Sequence, residues 1–399
     1  MYNKKDKLNK VRKDWIKGER SFNKHRSFDE DKFENKQKIK PKNIDISRID
    51  DYDNLPLGLV IQCESGKYFV ELLGQQNDKS KIIKTNFNKN ESFLNKESNT
   101  IDINVDKSKK VDKNEKIIIS CQIKRGVSGD NDNSTIVVIG DKVRVQRIDD
   151  FRGLICYIEK RKTHLGRKTR KDNNTEQVIA ANIDSLVCLI SADRPDFRRN
   201  IIDRFIVAAL LGEVEPIIVL NKIDSISGEL KDMIYEEMEI YNKLGYKLLF
   251  ISCLKKTGIK ELQKVLKNKI SSLIGQSGVG KSTLANILTK NNDQKVGEVR
   301  VSDSRGRHTT IGSKLLELKS GGRLADTPGL REFGIWDLLP EELDGYFVEF
   351  KDFLQNCKFK PCTHTHEPEC AVIKAVESGK IDEGRYDNYL SIFESLKLS

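Results

Sequence analysis

Residues Leu273 to Leu284 read Leu-Ile-Gly-Gln-Ser-Gly-Val-Gly-Lys-Ser-Thr-Leu, and this run restricts the fold of the chain more than any other. It contains the pattern G-x-x-x-x-G-K-[ST] in full, from Gly275 to Ser282. Glycines at 275, 278 and 280 let the backbone take positive φ and turn its N–H groups inward onto an anion. Lys281 is placed to reach β- and γ-phosphates and Ser282 to hold Mg²⁺, while a helix opening at Ser282 aims its positive end at the same point. The pattern has this meaning only between a strand and a helix, and Lys269 to Ile274 reads as a short strand, Ser282 to Lys290 as a helix. Gly275, Gln276, Ser277, Gly278, Val279, Gly280, Lys281, Ser282 and Thr283 are therefore the expected phosphate-binding set, with an accidental glycine-rich turn as the competing reading.

The surroundings of this loop predict an α/β domain. Val178 to Ala181, Ser185 to Ser191, Glu215 to Leu220 and Lys247 to Ser252 read as strands, and Arg199 to Leu211, Ser227 to Leu244 and Gly258 to Lys267 as helices. Such alternation implies a parallel sheet covered on both faces. After the strand ending at Leu220 comes Asn221-Lys222-Ile223-Asp224, an N-K-x-D pattern. A carboxylate at Asp224 can accept from the ring N–H and the exocyclic amine of guanine, an edge that adenine does not offer. Asn221 is expected to help hold the base edge, Lys222 to lie over the ring, and the backbone N–H of Cys253, in Ser252-Cys253 after the next strand, to donate to the guanine carbonyl. Asp326-Thr327-Pro328-Gly329 supplies a D-x-x-G element, in which Asp326 would hold a Mg²⁺-bound water and the Gly329 N–H would sense the γ-phosphate. Thr309 and Thr310 are both candidates for the switch residue that completes the Mg²⁺ shell.

The order of these elements is unusual. N-K-x-D and the Ser252-Cys253 loop precede the phosphate loop instead of following D-x-x-G, which is a circular permutation. The second switch, Asp326 to Ile335, then runs directly into the C-terminal segment, so nucleotide state can be passed on by ordering or releasing a short connector.

That segment carries Cys357-x4-Cys362-x-His364-x5-Cys370. Three thiolates and an imidazole fit a closed tetrahedral Zn²⁺ site, structural because four ligands leave no open position, with His366 as a rival ligand. The other five cysteines are scattered singly along the chain, which argues for a reducing compartment and against a disulfide framework.

N-terminal to the α/β section, short β-rich runs predict a small antiparallel barrel: Leu57 to Cys63, Tyr68 to Leu73, Lys116 to Ile123, Thr135 to Ile139, Lys142 to Ile148 and Gly153 to Ile158. Gln75 to Asn114 is polar and reads as a disordered insertion in a barrel loop. Residues 1–54 are lysine-rich and read as a disordered tail. Ten Lys or Arg against Asp6, Asp14 and Glu19 within Met1 to Arg26 leave a surplus of seven, most of the formal charge of +11. Trp15, Phe22 and Phe28 interleave with that charge, which suits RNA contact and equally suits a solvated solubility tail. Lys160 to Lys171 is a second basic stretch, open to the same two readings. No apolar run approaches a membrane span and no apolar segment follows the first residues, so neither a membrane anchor nor a secretory signal is expected.

Taken together, Asn221-Lys222-Ile223-Asp224, Gly275 to Ser282, Gly306-Arg307-His308-Thr309-Thr310, Asp326 to Gly334 and the Cys357/Cys362/His364/Cys370 set resemble the circularly permuted, ribosome small-subunit-dependent GTPase A family, RsgA, also called YjeQ. The resemblance runs from about Leu57 to Leu396. It implies an N-terminal OB-fold β-barrel (55–160, insertion 75–114), a basic linker (161–176), a circularly permuted P-loop α/β GTPase domain (177–338) and a C-terminal, α-rich zinc-binding domain (339–399). It also implies GTP as substrate, GDP as product, Mg²⁺ with the nucleotide and one structural Zn²⁺. The cellular role it implies is cytoplasmic: a monomer acting with the small ribosomal subunit and its rRNA in late maturation, with hydrolysis stimulated by that subunit. Ile311 stands where the family has a third switch threonine. Leu330 follows D-x-x-G where many GTPases carry a water-orienting Gln, so slow intrinsic hydrolysis is expected. The alternatives are a nucleotide-gated RNA chaperone in which hydrolysis only times release, and a transport or signalling GTPase whose barrel holds protein.

Overall fold

A computed structural model describes residues 52–64, 66–74, 116–129, 137–168, 176–290, 312–327 and 338–397. The basic tail up to residue 51, the polar insertion, Thr309, Thr310 and Gly329 lie outside the described residues.

Strand β8 (Ser185–Ser191), buried at every residue, is the middle of the α/β sheet. It pairs in parallel with β9 (Glu215–Asn221) on one side and β11 (Ile270–Ile274) on the other. Strands β10 (Lys247–Phe250) and β13 (Arg323–Asp326) extend the parallel set outward. The two-residue side-chain period divides the core between the faces. Val187 and Leu189 meet the helices Ile259–Val265 and Lys281–Leu288, whereas Leu186, Cys188 and Ile190 point to the side of Arg199–Leu211 and Gly228–Lys243. Ile234, Met238 and Tyr241 follow the helical period on their buried stripe. Full burial of each such side chain is worth about 1.5–3 kcal/mol. Because the strands are parallel, the segments after β8, β9, β10, β11 and β13 emerge on one edge, where ligands bind in open α/β sheets.

The N-terminal strands β1 (Leu57–Glu64), β2 (Lys67–Leu72), β3 (Ile118–Gly129), β4 (Lys142–Arg147) and β5 (Arg152–Ile158) are linked in the order β1-β2-β3-β5-β4. A further β1–β4 pairing closes the barrel around Val60, Val70, Ile119, Val143, Val145 and Ile155. At Gly58 a Cβ would stand 2.3 Å from Val70 Cγ1, so the approach of β2 requires glycine. On one edge β1 stays paired with β2 throughout; on the other its first half pairs with β4 and its second half pairs antiparallel with β12 (Ser313–Glu317), with Gln62 opposite Lys314 and Cys63 opposite Ser313. Barrel and α/β sheet thus form one ladder of eleven strands.

Two expectations are corrected. Of the expected barrel strand Thr135 to Ile139, residues 135 and 136 lie outside the described residues; of the rest only Ile139 bridges, to Ala180, and Val137, Val138 and Ile139 are buried as core. The expected basic linker contains β6 (His164–Lys168), which pairs with β7 (Glu176–Ala181) in a separate hairpin, so Val178 to Ala181 is not part of the parallel sheet. Strand β12 has no local signal in the sequence.

The C-terminal segment docks on the α/β part through a buried ion network. Arg385 and Asp203, 1% and 0% exposed, pair directly, and Arg385 also forks onto Glu349 at 2.7 and 3.0 Å. Tyr241 Oη donates to Asp203 at 2.8 Å, and Asn388 Nδ2 donates to its other oxygen at 2.5 Å. The Arg385 guanidinium stacks 4.6 Å from the Phe347 ring. With both oxygens of Asp203 hydrogen-bonded, the pair tolerates burial; without the arginine, the carboxylate is stranded. Arg385→Ala is expected to destabilise the protein by about 3–5 kcal/mol in urea unfolding, and a loss below about 1 kcal/mol would show that this network does not hold the C-terminal segment.

Candidate GTPase site and metal cluster

The phosphate loop leaves β11 at Ile274 and enters the helix at Lys281. Gly280, at φ +103°, lies so near Asn221 that a Cβ would meet Nδ2 at 2.5 Å; at Gly275 it would meet the Leu189 carbonyl oxygen at 2.3 Å. Val279 is buried and anchors the loop, while Ser277, Gly278 and Ser282 are exposed at its mouth. Lys281 Nζ folds across that mouth and donates to the carbonyls of Gly275 and Gln276 at 2.8 and 2.6 Å. Ser282 and Thr283 sit in the first turn of the helix, where N–H groups are unpaired within the helix.

The N-K-x-D residues come from the end of β9. Asn221 is 1% exposed; its Nδ2 donates to the Val279 carbonyl at 2.8 Å and its Oδ1 accepts the Cys253 N–H at 3.1 Å. Of the two residues expected at the base edge, Asn221 is here a strut between loops, and the Cys253 N–H is given to Asn221. Lys222, in left-handed backbone at φ +66°, reaches the Gly278 carbonyl at 2.8 Å and the Arg194 carbonyl. Asp224 lies half-buried in the 3₁₀ turn Ile223–Ser225. Ser252 is buried and its Oγ accepts the Lys255 N–H at 2.9 Å, which shapes the companion loop. Burial pushes the Cys253 thiol up to about 11, so it is protonated at neutral pH and serves as a wall.

Asp326 ends β13 on the same edge, opposite Lys314 of β12. The loop Ser191–Pro195, which the motifs did not flag, also belongs here. Ser191 Oγ accepts the Asp193 N–H and donates to the Arg194 carbonyl, and the Ala192 N–H donates to the Asn221 carbonyl at 2.9 Å. Its only sequence signal was its place after the most buried strand.

The four metal-ligand candidates converge. Cys357, Cys362, His364 and Cys370 place their ligand atoms within 4.8 Å of one another. Cys357 Sγ to Cys370 Sγ is 3.9 Å, and His364 Nδ1 lies 3.6 and 3.3 Å from these sulfurs. A tetrahedral zinc with ordinary bond lengths has S–S edges of about 3.8 Å and S–N edges of about 3.6 Å, so the donor set fits. Behind His364, Nε2 lies 3.2 Å from Asp344 Oδ2, the carboxylate that fixes the tautomer leaving Nδ1 free to ligate. Tyr386 and Tyr389 donate to the carbonyls of His364 and Thr363, both at 2.8 Å. His366 turns to Thr365 Oγ1 and is outside the cluster, which removes it as a rival.

The family model of the RsgA GTPase matches residues 158–336. Small ribosomal subunit biogenesis GTPase RsgA 1 of Vibrio vulnificus (strain YJ016) is 39% identical over 284 residues, 70% of this chain and 78% of that protein. RsgA of Chlorobaculum parvum is 37% identical over 286 residues, 70% and 91% of the two chains. The chain belongs to the RsgA GTPase family. Among solved structures, YjeQ from Thermotoga maritima covers 86% of this chain and 98% of its own at 29% identity and a TM-score of 0.61. YloQ, described as a circularly permuted GTPase, covers 88% and 98% at 25% identity and a TM-score of 0.62. As an RsgA GTPase the chain is a GTP hydrolase, and its permuted motif order is that of its structural neighbours.

Two outcomes follow from the RsgA site. Asn221→Ala removes both bridges and is expected to weaken fluorescent-GDP binding about ten- to a hundredfold, the equivalent of about 1–3 kcal/mol; unchanged affinity would show that the strut is dispensable. Asp344→Asn is expected to weaken zinc retention about ten- to a hundredfold in chelator competition, and wild-type retention would deny Asp344 its role behind His364.

Proposed function

We propose that this GTPase acts on the small ribosomal subunit in its late maturation and that GTP hydrolysis is stimulated by the subunit. The observation that carries the reading is Lys314, which stands opposite Asp326 of β13 on one side and opposite Gln62 of the barrel strand β1 on the other. Strand β12 begins directly after the stretch that holds Thr309 and Thr310, and β13 leads into D-x-x-G. A change at either switch therefore reaches the barrel through backbone hydrogen bonds. At Gly312 a Cβ would lie 2.8 Å from the Cys63 carbonyl oxygen, so the contact is close from its first residue. Arg323 pairs with Glu71 at 2.5 Å, and Lys116 pairs with Glu317, tying β2 and the entry to β3 onto β13 and β12.

On this reading residues 55–160 are an OB-fold barrel that takes rRNA, 177–338 the permuted GTPase domain and 339–399 a domain pinned by one structural Zn²⁺ on Cys357, Cys362, His364 and Cys370. The basic tail adds phosphate contacts. Gly275 to Thr283 bind the GTP phosphates, and Asp224 reads guanine with Lys222 over the ring. Mg²⁺ is held by Ser282, by Asp326 through water and by Thr309 or Thr310, while Gly329 senses the γ-phosphate. The protein works as a cytoplasmic monomer. Support comes from the names of the relatives at 37–40% identity, all small ribosomal subunit biogenesis GTPases, from the closed barrel and from the donor set of the cluster. Among the described residues no helix is long and apolar enough to cross a membrane.

Purified small subunits are expected to raise GTP turnover at least tenfold, and the protein should co-sediment with them in a non-hydrolysable GTP analogue more than in GDP. Equal turnover with and without subunits would overturn the activation. Stimulated binding without stimulated turnover would favour the RNA chaperone in which hydrolysis only times release.

A further inference from the structure

Arg194 has no part in the machinery described so far, yet its backbone is built into it. One ammonium, Lys222 Nζ, donates to both the Arg194 carbonyl and the Gly278 carbonyl. Two acceptors sharing one donor lie within about 6 Å of each other. Pro195 Cδ would be 3.9 Å from a Cβ at Gly278, so the turn rests against the phosphate loop directly. Ser191 fixes the turn from inside through its bonds to Asp193 and Arg194, and the Ala192 N–H ties it to Asn221. The side chain at 194 thus stands on a fixed base at the rim of the loop. With ordinary bond lengths a guanidinium reaches about 6–7 Å from its Cα, and it starts from the rim of the loop. Arg194 is exposed, and its guanidinium forms no ion pair with a described residue, whereas its neighbour Arg198 has Asp196 at 4.0 Å.

We propose that Arg194 is a catalytic residue that supplies, within the chain, the positive charge the hydrolysis step needs. In that step the oxygen of water forms a bond to the γ-phosphorus as the bond from that phosphorus to the β–γ bridging oxygen breaks. The electron pair of the broken bond stays on the β-phosphate, giving GDP, and the proton of the water leaves with inorganic phosphate. Negative charge grows on the bridging oxygen, and a guanidinium donating there stabilises the transition state more than bound GTP. An arginine in this role raises turnover by orders of magnitude. Here Leu330 occupies the place of the usual water-orienting Gln and cannot hydrogen-bond water, so charge neutralisation carries more of the step. A lysine would not replace it, since the planar fork can donate to the bridging oxygen and a γ-oxygen together.

The proposal rests on reading Gly275 to Thr283 as the phosphate loop, and the test separates the two. Single-turnover GTP hydrolysis, GDP affinity and binding of GDP with aluminium fluoride are measured on the full chain for wild type, Arg194→Ala, Arg194→Lys, Arg198→Ala and Lys281→Ala. Arg194→Ala and Arg194→Lys are expected to lose at least thirtyfold in hydrolysis rate and the added affinity for GDP with aluminium fluoride, with GDP affinity within twofold of wild type; Arg198→Ala should behave as wild type. An unchanged rate in Arg194→Ala overturns the proposal. So does an equal loss of GDP affinity, which would mean that the side chain only steadies the Lys222 contact. GDP binding that survives in Lys281→Ala would instead sink the phosphate-loop reading, whatever Arg194 does.

Discussion

One buried carboxamide holds the nucleotide edge together. Asn221 donates to the phosphate loop at Val279, accepts from the companion loop at Cys253, and receives Ala192 of the neighbouring strand end on its own carbonyl. Each bond is made where water cannot replace it, and an unmade one would cost about 1–3 kcal/mol. Aspartate has no donor for Val279, and leucine has neither partner, so the position accepts little else. The same contact explains Gly280, because any side chain there would strike the amide. Loops drawn from distant parts of the sequence acquire fixed spacing from a single side chain, supported by Lys222 spanning Gly278 and Arg194.

Permutation changes what that edge is joined to. Since the chain enters the α/β domain from the barrel side and leaves it after D-x-x-G, the strand between the switches is free to take β1 as its outer neighbour. An edge strand presents unpaired backbone groups, and β12 meets that demand with the barrel and not with solvent. Charges cross the same seam: Glu317 lies between Lys116 and Lys290, whose hydrogen bonds hold its carboxyl down at about 2 against the opposing effect of burial. At the far end, Arg385 and Asp203 fasten the C-terminal helix Glu383–Lys397 to the α/β helix Arg199–Leu211, so the GTPase domain is gripped from two sides.

The elements most legible in the sequence are those whose pattern is local. Arg199–Leu211 coincides with its amphipathic stripe to the residue, and β8, β9 and β11 with their apolar runs to within one, because such patterns record burial on a period the sequence displays. Val137 to Ile139 shows that a β-prone run can fill a core while only its last residue bridges to a neighbouring strand. Strand β12, Ser-Lys-Leu-Leu-Glu, carries no β-branched residue and is a strand only because two partners lie beside it. Helix Glu383–Lys397 is hard to read from its pattern because an arginine, Arg385, stands on its buried stripe beside Tyr389, Ile392 and Phe393, and arginine enters a core only when its partners are already there.

What the sequence settled by itself was chemistry and spacing: which residues can cradle phosphate, which can discriminate guanine, and which four can hold a metal. Glycine, lysine and cysteine carry those capacities wherever they stand. The tertiary structure decided allocation. It set Asn221 and the Cys253 amide to hold each other, left His366 outside the cluster, brought Asp344 behind His364 and laid a barrel strand against the switch strand. Each of these is a contact between segments far apart in the chain, and no local pattern encodes which of several able partners will arrive first at a hydrogen-bonding distance.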